Sequence, residues 1–225
     1  RVIAASQFYM KLAQRIMHIF NTRMNSGILY ELDMRLRPSG NSGLLVVHLN
    51  TFAQYQEEDA WTWEHQALVR ARMIYGNDEL KAQFSTIRKG ILSKKRDLTL
   101  LKQDVIKMRD KMRSHLDKSN DAFLDIKQGK GGLVDIEFLA QYLVLAYSSE
   151  HPDLMQYCDN LRIFKALNKA HIINKTEQAL LSDAYQKLRA LGHYATMQSE
   201  KQLISHSEAT QQESIRQLWD NLLTV

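Results

Sequence analysis

Apolar residues recur at three- and four-residue steps along the opening stretch, at Phe8, Leu12, Ile16, Ile19 and Phe20. That spacing predicts an amphipathic helix over 2–24, with Asn25-Ser26-Gly27 as its stop. Over 29–37 the period falls to two. Leu32, Met34 and Leu36 point one way and Glu31, Asp33, Arg35 and Arg37 the other, the pattern of a half-buried strand. The turn-rich run Pro38-Ser39-Gly40-Asn41-Ser42-Gly43 leads into a second apolar strand over 44–49, which can pair with the first as a hairpin. Thr51 and Asp59 are the expected caps of helices over 52–55 and 60–75, the latter ended by Gly76.

Past Gly76 no strand is predicted. Leu98, Leu101, Val105, Met108, Met112 and His115 mark one helical stripe, and Leu133, Ile136, Ala140, Leu143 and Tyr147 mark another. Between them lies the one glycine cluster, Gly129-Lys130-Gly131-Gly132, entering a helix near Leu133. Pro152 and Asn174 divide the last third into helices over 159–170, 176–191 and 207–223, with Thr176 and Ser207 as candidate caps. The pattern is mainly α, with a few strands inside 1–76 and an all-α domain over 77–225.

Composition narrows the class. Of 225 residues 44% are hydrophobic and 24% charged, ordinary globular usage. Nothing approaches the ~18–20 apolar residues of a membrane span, and the start does not read as a signal peptide. The single cysteine, Cys158, allows no internal disulfide and no cysteine-based zinc site; with these signals, a cytoplasmic setting and no membrane partner are expected. The net charge of +5 is unevenly spread: 8 basic and 6 acidic groups in 1–75, 14 and 8 in 76–130, 8 and 11 in 131–225. In the basic middle, Lys102 to Lys118 alternate with Asp104, Asp110 and Asp117, so the run reads either as a solvated ion-paired face or as a phosphate-binding stripe. A nucleic-acid partner has only the charge in its favour and is not expected.

Three stretches carry candidate chemistry. Alternation over 31–37 would put two carboxylates and two guanidiniums on one face, a pattern that suits a metal–nucleotide site and equally a solvent face of cross-strand charge pairs. In Trp61-Thr62-Trp63-Glu64-His65-Gln66-Ala67-Leu68-Val69-Arg70-Ala71-Arg72, the residues Glu64, Leu68 and Arg72 share one helix face. The glycine cluster, with Lys127 and Lys130, can aim backbone amides at an anion. Asp135 and Glu137 stand about 200° apart round a regular helix and so do not face one metal. No Gly-x-x-x-x-Gly-Lys-Ser/Thr loop is present, so a P-loop nucleotidase is not supported.

Taken together, 29–47 (LYELDMRLRPSGNSGLLVV), 61–72 (WTWEHQALVRAR) and 125–141 (DIKQGKGGLVDIEFLAQ) resemble, in that order and spacing, the bacterial glutamine synthetase adenylyltransferases. The likeness covers nearly the whole chain, and its wording is nearer the C-terminal, AMP-attaching half of that bifunctional family than the AMP-removing half. It implies that 1–76 is the remnant of an α/β nucleotidyltransferase domain, and that 77–225 is the helical domain which also follows the catalytic domain in PII uridylyltransferases.

The implied reaction joins AMP from ATP to a tyrosine hydroxyl of glutamine synthetase, releasing pyrophosphate and regulating nitrogen assimilation, with Mg²⁺ held by three carboxylates. Asp33 stands where the third of these is expected, as catalytic and metal-binding residue. Arg35, Arg37 and Lys127 fall to nucleotide phosphates, and Glu64, Arg72, Asp135 and Glu137 to the cleft or domain junction. The Gly-Ser…Asp-x-Asp motif that supplies the first two carboxylates does not occur in these 225 residues, so the resemblance implies a truncated chain, inactive by itself. Glutamine synthetase, the PII signal protein and glutamine are the implied partners. Two other readings stay open: the AMP-removing half, or a non-catalytic helical module that docks PII or senses glutamine.

Overall fold

The structure, a computed structural model, describes residues 3–28, 30 and 32–223. It divides into two compact units, Arg1–Glu64 and His65–Val225. The chain is mainly α, as the periodicities require, with nine α-helices and one two-stranded sheet among the described residues.

The first unit opens with α1, Ala5–Asn21, whose apolar stripe forms as predicted, yet Phe8, Leu12, Ile16 and Ile19 all stand exposed. Val2, Leu29 and Glu31, which the predicted helix and strand included, lie outside the described residues. The rest of 29–49 does not form the two expected strands. Its described residues up to His48 run as irregular backbone through a 3₁₀ turn, Gly40–Ser42. A two-stranded hairpin is marginal in water without further strands or a helix to cover it, and this unit has no strand among its described residues. Side chains meet the backbone's hydrogen-bonding needs here instead. Helix α2, Leu49–Glu58, begins two residues before the expected Thr51 cap, because the His48 ring accepts from the Asn50 amide at 3.2 Å. Helix α3, Thr62–Arg70, stops well before Gly76.

The second unit is built round α6, Leu133–Tyr147. Its sequence is apolar on every side, and ten of its residues are buried, which marks a central helix rather than a surface one. Packed against it are α5 (Leu98–Leu116), α7 (Asn160–Lys169), α8 (Lys175–Met197) and α9 (Gln212–Leu223). Leu139 and Leu143 of α6, Ile163 and Phe164 of α7, Leu181 of α8 and Ile215 of α9 are fully buried. Burying each such side chain contributes about 1.5–3 kcal/mol relative to leaving it exposed. Local signals set the helix starts. Asp97 accepts from the Thr99 and Leu100 amides to begin α5, and Asn77 accepts from Leu80 to begin α4, Asp78–Leu92. Asn174, not Thr176, begins α8, in a reciprocal capping box with Glu177. Ser207 caps nothing, since α9 starts five residues later.

The sheet was not predicted. Strands β1 (Phe123–Asp125) and β2 (Leu203–Ser205) pair antiparallel, Phe123 opposite Ser205. Three residues each are too few to show a period of two.

Arginines close two helix ends, where the last carbonyls have no partner within the helix. The buried Arg88 guanidinium donates to Leu68 O (3.0 Å) and Val69 O (2.6 Å) in the last turn of α3, and to Met155 O (2.6 Å). Arg96 does the same for α4, reaching Ile91 O and Leu92 O at 2.8 and 3.0 Å. Burial lowers the pKa of both below the ordinary arginine value.

Two glycines give opposite expectations. Gly131 lies at φ +72°, and a Cβ there would sit 2.2 Å from the Gln212 carbonyl oxygen at the start of α9. Gly90 sits inside α4 with nothing within 4 Å of an added Cβ. Gly131→Ala should lower the unfolding free energy measured in urea, by at least the ~1 kcal/mol of an αL penalty plus the backbone shift. Gly90→Ala should raise it, by about 0.5–1 kcal/mol.

Candidate functional site

In the first unit the residues singled out by sequence form a short polar stretch of irregular backbone. Asp33 and Arg35, two residues apart, are bound to each other. Arg35 Nε lies 3.0 Å from both carboxylate oxygens, its Nη2 lies 2.6 Å from Oδ2, and its backbone amide lies 2.9 Å from Oδ1. Both side chains are exposed, at 53% and 75%. The Arg35 side chain, and then its backbone amide, hold the Asp33 carboxyl well below the usual carboxylate range, at about 2. Beside the pair opens a hollow lined by Leu32, Asp33, Met34 and Arg35.

Arg37 is turned elsewhere. Its guanidinium donates to Met34 O (2.5 Å), Gly43 O (3.2 Å) and Asn41 O (3.2 Å), so the Pro38–Gly43 loop is wrapped round it. Glu64 sits in the first turn of α3, where its carboxylate takes the Trp61 amide at 3.0 Å and the Tyr55 hydroxyl at 2.9 and 3.1 Å. Burial, together with that carboxylate, raises the Tyr55 pKa above the ordinary tyrosine value. Arg72 follows the end of α3 and is exposed.

In the second unit the glycine cluster is a closed loop. The first-turn amides of α6 are already taken: Leu133 N by Ile126 O (3.0 Å), Val134 N by Lys127 O (3.1 Å) and Asp135 N by Gly132 O (3.1 Å). The Gly131 amide donates to Asp135 Oδ2 at 2.7 Å, and Asp125 Oδ1 takes the Lys127 and Gln128 amides at 2.8 Å each. The glycines are needed because the loop packs tightly on itself; a Cβ at Gly132 would lie 2.8 Å from Gly129 O. Lys127 and Lys130 project from it, exposed.

Asp135 is almost wholly buried. It accepts from Arg109 Nε at 2.5 Å and from Arg113 Nη2 at 3.0 and 3.1 Å. Arg109, with no exposed surface, also reaches the Gln128 side chain and carbonyl at 3.2 and 2.8 Å. Burial lowers the Arg109 pKa and the Asp135 charge raises it again. Glu137 faces another neighbourhood. It pairs with Arg70 of α3 at 3.4 Å, and Arg70 also donates to Asn160 at 2.8 Å. Sequence reasoning missed Arg109, Arg113, Arg70 and Asn160. For Arg109 a signal existed: it continues the four-residue series Leu101, Val105, placing a charge on an inward stripe.

Among the described residues no group of three or more histidine, cysteine, aspartate or glutamate side chains could hold a metal ion. Asp33, both of whose oxygens are already engaged by Arg35, is a single carboxylate and does not make a magnesium site with the donors among the described residues.

Residues 1–87 match the family model of Glutamate-ammonia ligase adenylyltransferase, and residues 100–218 match that of GlnD PII-uridylyltransferase. Over 223 residues the chain is 45% identical to a bifunctional glutamine synthetase adenylyltransferase/adenylyl-removing enzyme of Idiomarina loihiensis. The match covers 99% of this chain and 24% of that relative, so the chain spans about a quarter of its length.

The two carboxylates should respond differently to loss of their arginines. In Arg35→Ala, the Asp33 carboxyl, followed by ¹³C NMR, should titrate in the ordinary aspartate range rather than at about 2. Because the folded pKa is the lowered one, whatever stability the pair contributes is complete above the unfolded value and is lost as pH falls from there towards 2. Arg109→Met leaves Asp135 in the interior with Arg113 alone, and should cost about 3–5 kcal/mol in urea unfolding.

Proposed function

The chain belongs to the glutamine synthetase adenylyltransferase family, and from that premise we propose that it forms part of an enzyme which attaches AMP to glutamine synthetase. In that reaction a tyrosine hydroxyl oxygen attacks the α-phosphorus of ATP. A new P–O bond forms, the α–β bridging P–O bond breaks, pyrophosphate leaves, and the hydroxyl proton is released.

The observation that carries this reading is the Asp33–Arg35 pair. It is an exposed carboxylate kept ionised by a guanidinium, in the segment that carries the family resemblance, beside an open hollow. We assign Asp33 to the acidic centre of the transfer. We assign Arg35 to the nucleotide phosphates, which compete with Asp33 for its fork. Arg37 acts one step back, holding the loop that follows. Lys127, exposed on the glycine loop, is the phosphate-binding cation assigned to the helical region.

Asp135, Glu137 and Glu64 are positioning groups in this reading. Asp135 fixes the glycine loop, Glu137 holds Arg70, and Glu64 starts the helix that leads to Arg72. The family resemblance supports residues 1–76 as the nucleotidyltransferase portion and 77–225 as a helical domain, with ATP and magnesium as substrate and metal, cytoplasmic placement, and PII and glutamine as regulators.

In the full-length enzyme, Asp33→Asn should lower AMP transfer to glutamine synthetase by about 10²–10³-fold, with an unchanged circular dichroism spectrum and intact AMP removal. Unchanged transfer with lost removal would place the chain in the other half. Unchanged transfer and removal would end the Asp33 assignment. The 225-residue chain alone is expected to transfer no AMP.

A further inference from the structure

The second unit holds a cleft of about 520 Å³ whose lining includes none of the candidate site residues discussed above. One wall is the connection after α6, with Glu150, His151 and the 3₁₀ helix Pro152–Met155; the other is the outer face of α7, with Arg162, Lys165, Ala166 and Lys169. The size is that of a small-molecule site, which ordinarily runs from about 300 to 1,000 Å³.

Arg162 is set in place before any ligand arrives. Its Nε is hydrogen-bonded to Asp159 Oδ2, its backbone amide lies 3.0 Å from Asp159 Oδ1, and its guanidinium lies over the Tyr157 ring, 4.8 Å from the centroid. Among the described residues its side-chain hydrogen bonding is confined to that one edge, so the two terminal nitrogens present an open fork at the cleft. One helical turn on, Lys165 makes no ion pair among the described residues, and Lys169 is held only loosely by Asp153, at 3.9 Å. A fixed fork beside an uncompensated ammonium is the donor set that planar and tetrahedral oxyanions require. The Tyr157 ring, Pro152 and Ala166 supply apolar surface for the body of a ligand, while Glu150 and Asp153 on the facing wall direct its charge towards Arg162 and Lys165.

We propose that this cleft binds a small phosphate monoester, its phosphate gripped by the Arg162 fork and Lys165. The site is separate from the transfer reaction above and does not depend on it.

The probe is phenyl phosphate, titrated into the 225-residue chain and followed by ¹H–¹⁵N NMR, with phenol and benzoate as the neutral and carboxylate counterparts. Saturable shifts should centre on Tyr157, Arg162 and Lys165. Phenyl phosphate should bind at least tenfold more tightly than either counterpart. Lys165→Glu, an exposed position, should weaken it at least tenfold, Arg162→Lys several-fold, and Lys175→Glu, elsewhere on the surface, not at all. Benzoate binding as tightly would overturn the phosphate assignment. Phenol binding as tightly, shifts centred elsewhere, or indifference to Lys165→Glu would overturn the site.

Discussion

The second unit is organised around one buried charge pair. The Arg109 guanidinium and the Asp135 carboxylate are both out of solvent, and each costs several kcal/mol to bring there alone. That cost is offset only if nearly every donor and acceptor finds a partner, and here they do so by drawing in three elements. Arg113 comes from the next turn of α5, the Gln128 side chain and carbonyl from the glycine loop, and the Gly131 amide from the entry to α6. The loop's glycines follow from this. A backbone that must bring its amide to a buried carboxylate while lying against α9 has no room for Cβ atoms. The feature that reads in sequence as an anion cradle is therefore a cradle already filled by the protein's own carboxylate.

The first unit uses the same chemistry nearer the surface. Arg37 holds Met34 O and two carbonyls of the loop that follows, and Arg35 holds Asp33, so local polar contacts shape a backbone that no sheet supports among the described residues. The contrast lies in exposure. A pair in water is weak and exchangeable, so Asp33 and Arg35 can be separated by a competing ligand at little cost. Asp135 and Arg109 cannot be separated so easily, because each would be left unpaired in the interior.

Much of the helical architecture was legible because a helix needs only its own residues for its hydrogen bonds. The stripes of α5 and α6, and the breaks at Pro152 and Asn174 either side of α7, set those helices within a residue or two, and Asn174 followed by Glu177 was a start signal waiting beside the less suitable Thr176. What failed was non-local. Alternation over 29–37 reports a face, not the partner strand that a ladder requires, and β1 and β2 are too short to alternate while pairing across most of the second unit. Of the candidate residues, Asp33 and Arg35 were legible as a pair of opposite charges two apart. Asp135 was visible as a helix-entry acid, but its true counter-charge was hidden within a run of lysines and aspartates that reads as a charged surface face. The cleft on α7 escaped notice because its cations stand in a helix of ordinary amphipathic pattern.

The pairing of β1 with β2, and the seat of Gln212 against Gly131, tie the middle of the chain to its far end. A ribosome delivers the chain at about 5–20 residues per second, N-terminal part first. Helices α5 and α6 thus emerge seconds before the strand and helix that enclose the glycine loop. Through that interval the carboxylate of Asp135 and the guanidinium of Arg109 can meet, but the loop between them still lacks its outer wall. The segment that seals the unit is thus made after the parts it encloses, and a nascent chain stalled before residue 203 would leave that buried pair open to water.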